Sequence, residues 1–181
     1  MHCLNEKRFL DHMKLPFNFI QFIADNKHHL KPPVNNKVIF DSESFVAMIV
    51  GGPNQRKDYH VNQSDELFYQ IQGEMVLKIK NPQGHFEDIK IGEGEMFLLP
   101  SKIPHSPQRF DNTVGLVIEK KRTVAEIDSL IWYCEKCLKV LETRSFYLTN
   151  IEIELKDAIN QHFSDSSHYT CKACGYINEK N

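Results

Sequence analysis

The spacing of apolar positions changes near residue 37. Before it, Phe19, Ile20, Phe22 and Ile23 cluster at helical spacing. Asn5 is placed to cap an earlier turn and Pro16-Phe17-Asn18 punctuates between the two, so residues 1–30 are predicted helical. After it come short runs rich in β-branched and aromatic residues, at 38–40, 45–50, 66–71, 75–79, 86–91, 96–99 and 114–119. They are divided by Gly51-Gly52-Pro53, Gly73, Asn81-Pro82-Gln83-Gly84 and Gly92-Glu93-Gly94, all turn-forming. The runs on either side of Gly73 read as a hairpin. Many short strands at regular spacing predict a small antiparallel sandwich or barrel, and a double-sheet jelly roll fits best.

Residues 120–130 are polar and read as a linker. Beyond them, Thr149 followed by Glu152 is a capping box, opening a helix whose apolar face runs Ile151, Leu155, Ala158, Ile159, Phe163. The predicted organisation is an all-β domain over 1–125, carrying the N-terminal helical segment, and a small C-terminal segment over 126–181.

Composition narrows the function. With 181 residues, 41% apolar, the chain can bury a core without disulfide staples. A formal net charge of -2 lacks the basic excess of a nucleic-acid binder, and Lys120-Lys121-Arg122 reads as a solvated strand end. No stretch has the apolar length of a membrane span, and the first residues lack the order of a signal peptide. A cytoplasmic, reducing location is expected, in which the five cysteines are thiols or metal ligands first.

Two imidazoles and one carboxylate, His60, Glu66 and His105, fall on predicted strands. Two His plus one carboxylate on one face of an octahedron mark non-haem Fe(II) oxygenases, and the three open positions suit a chelating aromatic and dioxygen. By contrast, the adjacent His28 and His29 would point about 100° apart on a helix and are read as exposed helix-end residues. Arg56 lies four residues before His60, and Arg109 four after His105. Alternate strand residues share a face, so both arginines and Glu119 are expected to line the same interior. Buried guanidiniums need an anionic partner: a planar substrate carboxylate, or structural ion pairs with Asp58, Asp65 or Glu119.

The spacing His60, Asn62, Glu66, Gly73 resembles the first motif of the cupin superfamily, with Asn62 in place of a second histidine, which favours a three-ligand site. Gly94, Pro100 and His105 resemble the second motif, without its later glycine. The run from Arg56 to Asn62, Glu66-Leu67-Phe68-Tyr69-Gln70, the run from Glu93 to Pro100, Pro104-His105-Ser106-Pro107-Gln108-Arg109 and Gly115 to Glu119 resemble the 3-hydroxyanthranilate 3,4-dioxygenase family. Trp132-Tyr133-Cys134 and the terminal Cys-x-x-Cys-Gly extend the likeness over nearly the whole chain. The resemblance implies a cupin double-stranded β-helix with flanking helices and a rubredoxin-like C-terminal segment. It also implies Fe(II)- and O2-dependent opening of 3-hydroxyanthranilate to 2-amino-3-carboxymuconate semialdehyde, on the kynurenine route to quinolinate and NAD. His60, Glu66 and His105 fall on the family's iron ligands. Arg56, Arg109 and Glu119 fall on its substrate positions, with Asn36 a further pocket position. Arg109 with Glu119 is expected to hold the ring carboxylate, and Arg56 to orient that carboxylate or the dioxygen. A homodimer is the assembly the resemblance implies.

Cys134-x-x-Cys137 and Cys171-x-x-Cys174 are two chelating knuckles, a tetrahedral thiolate signature for structural zinc or iron. Four ligands leave no open position, so the expected role is to order a segment with too small a core of its own. Cys3 is left without a partner. Two competing readings keep the barrel: a non-catalytic cupin binding module, and a metal-dependent cupin isomerase acting on an anionic sugar.

Overall fold

The computed structural model describes residues 15–32, 35–147 and 151–180. Asn5, Cys3 and Thr149 lie outside the described residues. The chain opens with helix α1 (Phe19–Asp25) and a 3-10 turn (Lys27–Leu30). The Asn18 side chain caps α1, accepting from the Gln21 amide at 2.9 Å. The 3-10 turn holds His28 and His29, with His28 exposed.

Ten strands follow without an intervening helix: β1 (Asn36–Asp41), β2 (Phe45–Gly51), β3 (Asn54–Gln55), β4 (Asp58–Val61), β5 (Glu66–Gln72), β6 (Met75–Lys80), β7 (Phe86–Ile91), β8 (Met96–Leu99), β9 (His105–Arg109) and β10 (Val114–Lys120). Then come β11 (Asp128–Tyr133), β12 (Val140–Phe146), α2 (Ile151–His162) and α3 (Ser166–Tyr169). The strands form two antiparallel sheets. One has the order β1-β2-β10-β5-β8, the other β12-β11-β4-β9-β6-β7, with β3 also on β9. This is the expected double-sheet jelly roll.

Alternation places the core. In β5, Glu66, Phe68 and Gln70 are buried while Leu67 and Tyr69 are less so, and in β6 Met75, Leu77 and Ile79 are buried. Phe68, Met75, Leu77, Ile91 and Leu99 from both sheets meet in one cluster. Each such side chain contributes about 1.5–3 kcal/mol relative to exposure.

Two expectations change. The runs flanking Gly73 are not a hairpin: β5 pairs with β10 and β8, whereas β6 pairs with β7 and β9. Gly73, at φ 69°, instead carries the chain from one sheet to the other. The polar stretch 120–130 is also shorter than a linker, because β11 starts at Asp128 and pairs with β4 in the barrel sheet. Asp128, Leu130 and Trp132 all face inward, so the strand is laid down by alternation that a polar first residue concealed.

Two helical segments seal the ends. Phe19, Phe22 and Ile23 of α1 pack on Leu30, Ile39, Ile49 and Val114. Leu155, Ala158 and Ile159 of α2 pack on Leu130 and Trp132, three of the five apolar positions predicted for that helix.

A Cβ at Gly51 would lie 2.1 Å from the backbone oxygen of Leu30, where no side chain can move aside. Gly51→Ala is expected to destabilise the fold by about 1–3 kcal/mol, measured by denaturant unfolding, since overpacking forces the backbone to shift.

Candidate active site

Strand register builds the site. His60 on β4 stands directly opposite His105 on β9, their rings 5.3 Å apart. From the facing sheet, Glu66 at the start of β5 brings its Oε2 to 3.2 Å from His105 Nε2. One ligand atom from each of the three lies within 4.8 Å of the others, and all three residues are buried. Cis donors at bond lengths near 2.1 Å sit about 3.0 Å apart, so the Glu66–His105 separation suits a shared divalent ion.

The surroundings fix the donors. Asn62, where a second cupin histidine would stand, donates to Glu66 Oε2 at 3.1 Å. His105 donates Nδ1–H to the Ile103 carbonyl at 2.9 Å, leaving Nε2 for an ion. His60 Nε2 meets Asp128 Oδ2 at 2.6 Å. Burial lowers the His60 pKa, and the Asp128 hydrogen bond only partly opposes it, which favours the neutral imidazole a metal needs. Burial alone would raise the Glu66 carboxyl, but His105, His60 and Arg122 bring it below the usual carboxylate range.

Arg109 is four residues beyond His105 on the same face, as expected, and 2% exposed. Its Nη1 donates to Gln70 Oε1 at 3.2 Å and its Nε has no partner. No carboxylate pairs with it among the described residues. Burial pulls its pKa down to about 10, with Glu66 opposing. Room for the guanidinium comes from Gly115, where a Cβ would lie 2.4 Å from Arg109 Nη1.

Arg56 does not share a strand with His60, because the chain breaks between β3 and β4. It reaches inward all the same and forms a bidentate pair with Asp58, which is fully buried and two residues from His60. The structural ion pair weighed for the arginines thus holds for Arg56 and not for Arg109. Glu119 faces Glu66 across the β10–β5 register. Burial, then Glu66, pushes its pKa up to about 7 despite Arg122, whose Nη1 lies 2.6 Å from Glu119 Oε1.

Asn36 falls in one cross-strand row with Val50, Gly115 and Gln70, hence on the sheet face that Arg109 covers. Its buried Oδ1 has no hydrogen-bond partner. Sequence reasoning missed Arg122, Asp128, Gln70 and the role of Asn62. Only Asn62 left a signal, as the departure from the motif.

The four cysteines assemble at the other end of β11. Cys134 Sγ lies 3.6 Å from Cys174 Sγ, and Cys137 Sγ 3.5 Å from Cys171 Sγ, with all four within 4.8 Å. A tetrahedron of thiolates about 2.3 Å from an ion has edges of about 3.8 Å, so the four sulfurs fit one ion. The two knuckles repeat one backbone pattern. Cys134 N donates to Lys139 O and Leu138 N to Cys134 O; Cys171 N donates to Tyr176 O and Gly175 N to Cys171 O. Leu138 and Gly175 occupy the same left-handed position, at φ 60° and 72°. Asn178 ties the knuckles together, donating to Tyr133 O at 2.8 Å and accepting from Glu135 N at 3.1 Å.

Inside a jelly-roll barrel, two buried histidines and a buried carboxylate are grouped closely enough to hold a metal ion, beside a guanidinium that no carboxylate pairs among the described residues. The chain belongs to the 3-hydroxyanthranilic acid dioxygenase family, whose model matches residues 12–163. Proteins named 3-hydroxyanthranilate 3,4-dioxygenase are similar to it. The one from Bacillus thuringiensis is 45% identical over 89% of this chain and 90% of its own, and that from Candida albicans 47% identical over 90% and 94%. The one from Neurospora crassa is 45% identical over 90% and 89%. Among solved structures, a cupin-2 domain containing protein from Shewanella frigidimarina covers 58% of this chain and 94% of its own, at 18% identity and a TM-score of 0.47. No helix among the described residues is long and apolar enough to cross a membrane.

The single tryptophan reports on the thiolate end. Trp132 is 1% exposed, two residues before Cys134, and stacks on His162 with ring centroids 4.1 Å apart. Stripping the ion from the cysteines is expected to red-shift Trp132 emission and open all four thiols to a thiol reagent. Cys171→Ser should give the same red shift without chelator and open the three remaining thiols.

Proposed function

We infer that this chain catalyses the reaction its relatives are named for, inserting both atoms of O2 into 3-hydroxyanthranilate to give 2-amino-3-carboxymuconate semialdehyde. The product lies on the kynurenine route to quinolinate and NAD. The observation that carries the reading is Arg109: a buried guanidinium with no carboxylate partner, on the same strand face as His105. An unpaired buried charge is costly, and a monocarboxylate ligand removes the cost.

His60, Glu66 and His105 hold Fe(II), which supplies the redox chemistry that lets the aromatic ring react with O2. Arg109 takes the substrate carboxylate. Glu119 is committed to Arg122 and carries the same charge sign as that carboxylate, so it serves better as acceptor for the substrate's hydroxyl or amino hydrogens. Arg56, held by Asp58 and with 17% of its side chain exposed, is the group assigned to meet the substrate or dioxygen as either enters. Asn36 adds a polar atom on the Arg109 side. Phe68, edge-on to His105 with centroids 6.3 Å apart, and Ile79, opposite His105 on β6, are apolar walls that keep water away from the reacting ring. At the second site the four thiolates hold zinc or iron as a structural ion. Residence in the cytosol, whose reducing poise keeps thiols available as ligands, and assembly as a homodimer complete the reading.

Anaerobic protein stripped of metal, given Fe(II) and 3-hydroxyanthranilate, is expected to form the ring-opened chromophore only when air is admitted. Equal turnover with Zn(II) would overturn the dioxygenase reading in favour of an isomerase. No binding of the substrate at all would leave a non-catalytic module.

Arg109→Ala should weaken substrate binding by about thirtyfold or more, with Fe(II) affinity changed by less than about threefold. Gly115→Ala, which crowds the guanidinium, should raise KM in the same direction while thermal stability holds. Parallel loss of substrate and iron binding in either variant would make Arg109 a structural residue.

A further inference from the structure

Asp128 lies outside the stretch that carries the three predicted barrel ligands, on the first position of β11, yet it is 0% exposed and touches His60. Its Oδ2 is 2.6 Å from His60 Nε2 and 2.8 Å from Arg122 Nη2, with Arg122 Nε at 3.2–3.3 Å from its two oxygens. Arg122 in turn reaches Glu119 at 2.6 Å. The turn that makes this possible is tied by Glu126, which accepts from Thr123 N at 2.6 Å, so residues 122 and 128 return side by side. Lys120 and Lys121 remain outside, paired with Glu126 and Asp41. The basic run is therefore divided: two lysines are solvated as its composition predicts, and the arginine turns inward with 8% of its side chain exposed.

We propose that Asp128 is the positioning residue for the iron ligand His60, and that Arg122 clamps it there by bridging to Glu119. The proposal rests on the dioxygenase reading for its iron, but its chemistry belongs to His60 alone. An ionised carboxylate is acceptor-only, so the imidazole hydrogen must sit on Nε2, and the Nδ1 lone pair is the one presented to an ion. His105 is arranged the opposite way, with its hydrogen on Nδ1 and bonded to the neutral Ile103 carbonyl. The two histidines thus differ in donor atom and in the group behind each, a carboxylate for His60 and a neutral carbonyl for His105. Arg122 prevents the Asp128 carboxylate from rotating away, and it ties that carboxylate to Glu119, so a metal ligand and a substrate-site group share one clamp.

The tautomer can be read without turnover. Long-range proton–nitrogen NMR of the metal-free protein is expected to show His60 protonated on Nε2 and His105 on Nδ1, and Asp128→Asn to redistribute only the His60 hydrogen. Chelator competition with Co(II), with the thiolate site already filled by zinc, should show affinity at the histidine site falling about ten- to hundredfold in Asp128→Asn. Arg122→Gln should give a smaller loss, and the double variant less than the product of the two, because both act on one carboxylate. If Asp128→Asn does not fold, Arg122→Gln carries the test by itself. Wild-type tautomer and wild-type Co(II) affinity in a folded variant would reduce Asp128 to a structural residue. Co(II) affinities as expected, with no ring opening when the stripped enzyme is given Fe(II), substrate and air, would instead sink the activity and leave the positioning role standing.

Discussion

One cross-strand pair, His60 opposite His105, sets where everything else at the site must be. Register in a sheet has a period of two, so a slip of one residue on either strand would turn one imidazole out of the barrel. The slip is opposed on both flanks. β9 is fixed against β6 over five aligned pairs from Met75–Arg109 to Ile79–His105. β4 is fixed against β11 over four, with Leu130 beside His60. The same β9 register that points His105 inward also points Arg109 inward. The candidate metal donor and the candidate anion partner are therefore placed by one alignment.

That dependence explains why the C-terminal segment is more than an attachment. β11 carries Asp128 against His60 at its first residue, and the residue after its last is Cys134 of the thiolate cluster. An ion at the cysteines would fasten the end of a strand whose start reaches the histidine cluster. Trp132, stacked on His162, and the helix packed over Leu130 hold the middle. His162 is itself buried and held by Glu142 at 2.5 Å, so this segment has its own polar anchor besides the thiolates.

The three donors were legible because each lies at a spacing that a barrel strand imposes, and Arg109 because it follows His105 by an even number of residues. The strands themselves were legible wherever β-branched runs met a glycine turn. What stayed hidden has one physical character: contacts made across a turn or between sheets. Arg122 and Asp128 meet because Glu126 closes a turn between them, and no periodicity encodes that. Gly73 marks a reversal in either arrangement, hairpin or sheet crossing, and only the pairing partners of β5 and β6 distinguish the two. Arg56 pairs with Asp58 because the chain breaks between β3 and β4, where strand alternation has no force.

The buried charges then form a set whose sign is informative. Four carboxylates, Asp58, Glu66, Glu119 and Asp128, are almost wholly buried around the histidines, against three guanidiniums, Arg56, Arg109 and Arg122. Counted by formal charge, the protein alone leaves one negative charge unmatched in the barrel. A divalent ion on the histidines and Glu66 reverses that to one positive charge, and Arg109 is the cation left without a mate. A monocarboxylate brings the interior to neutrality. Because uncompensated charge in a low-dielectric interior is strongly disfavoured, a divalent ion on the donors would favour the anion, and the anion would favour the ion. A neutral aromatic would leave the surplus in place, and a dianion would overshoot it. The charge of the barrel therefore favours a ring bearing a single carboxylate over a neutral or doubly charged one.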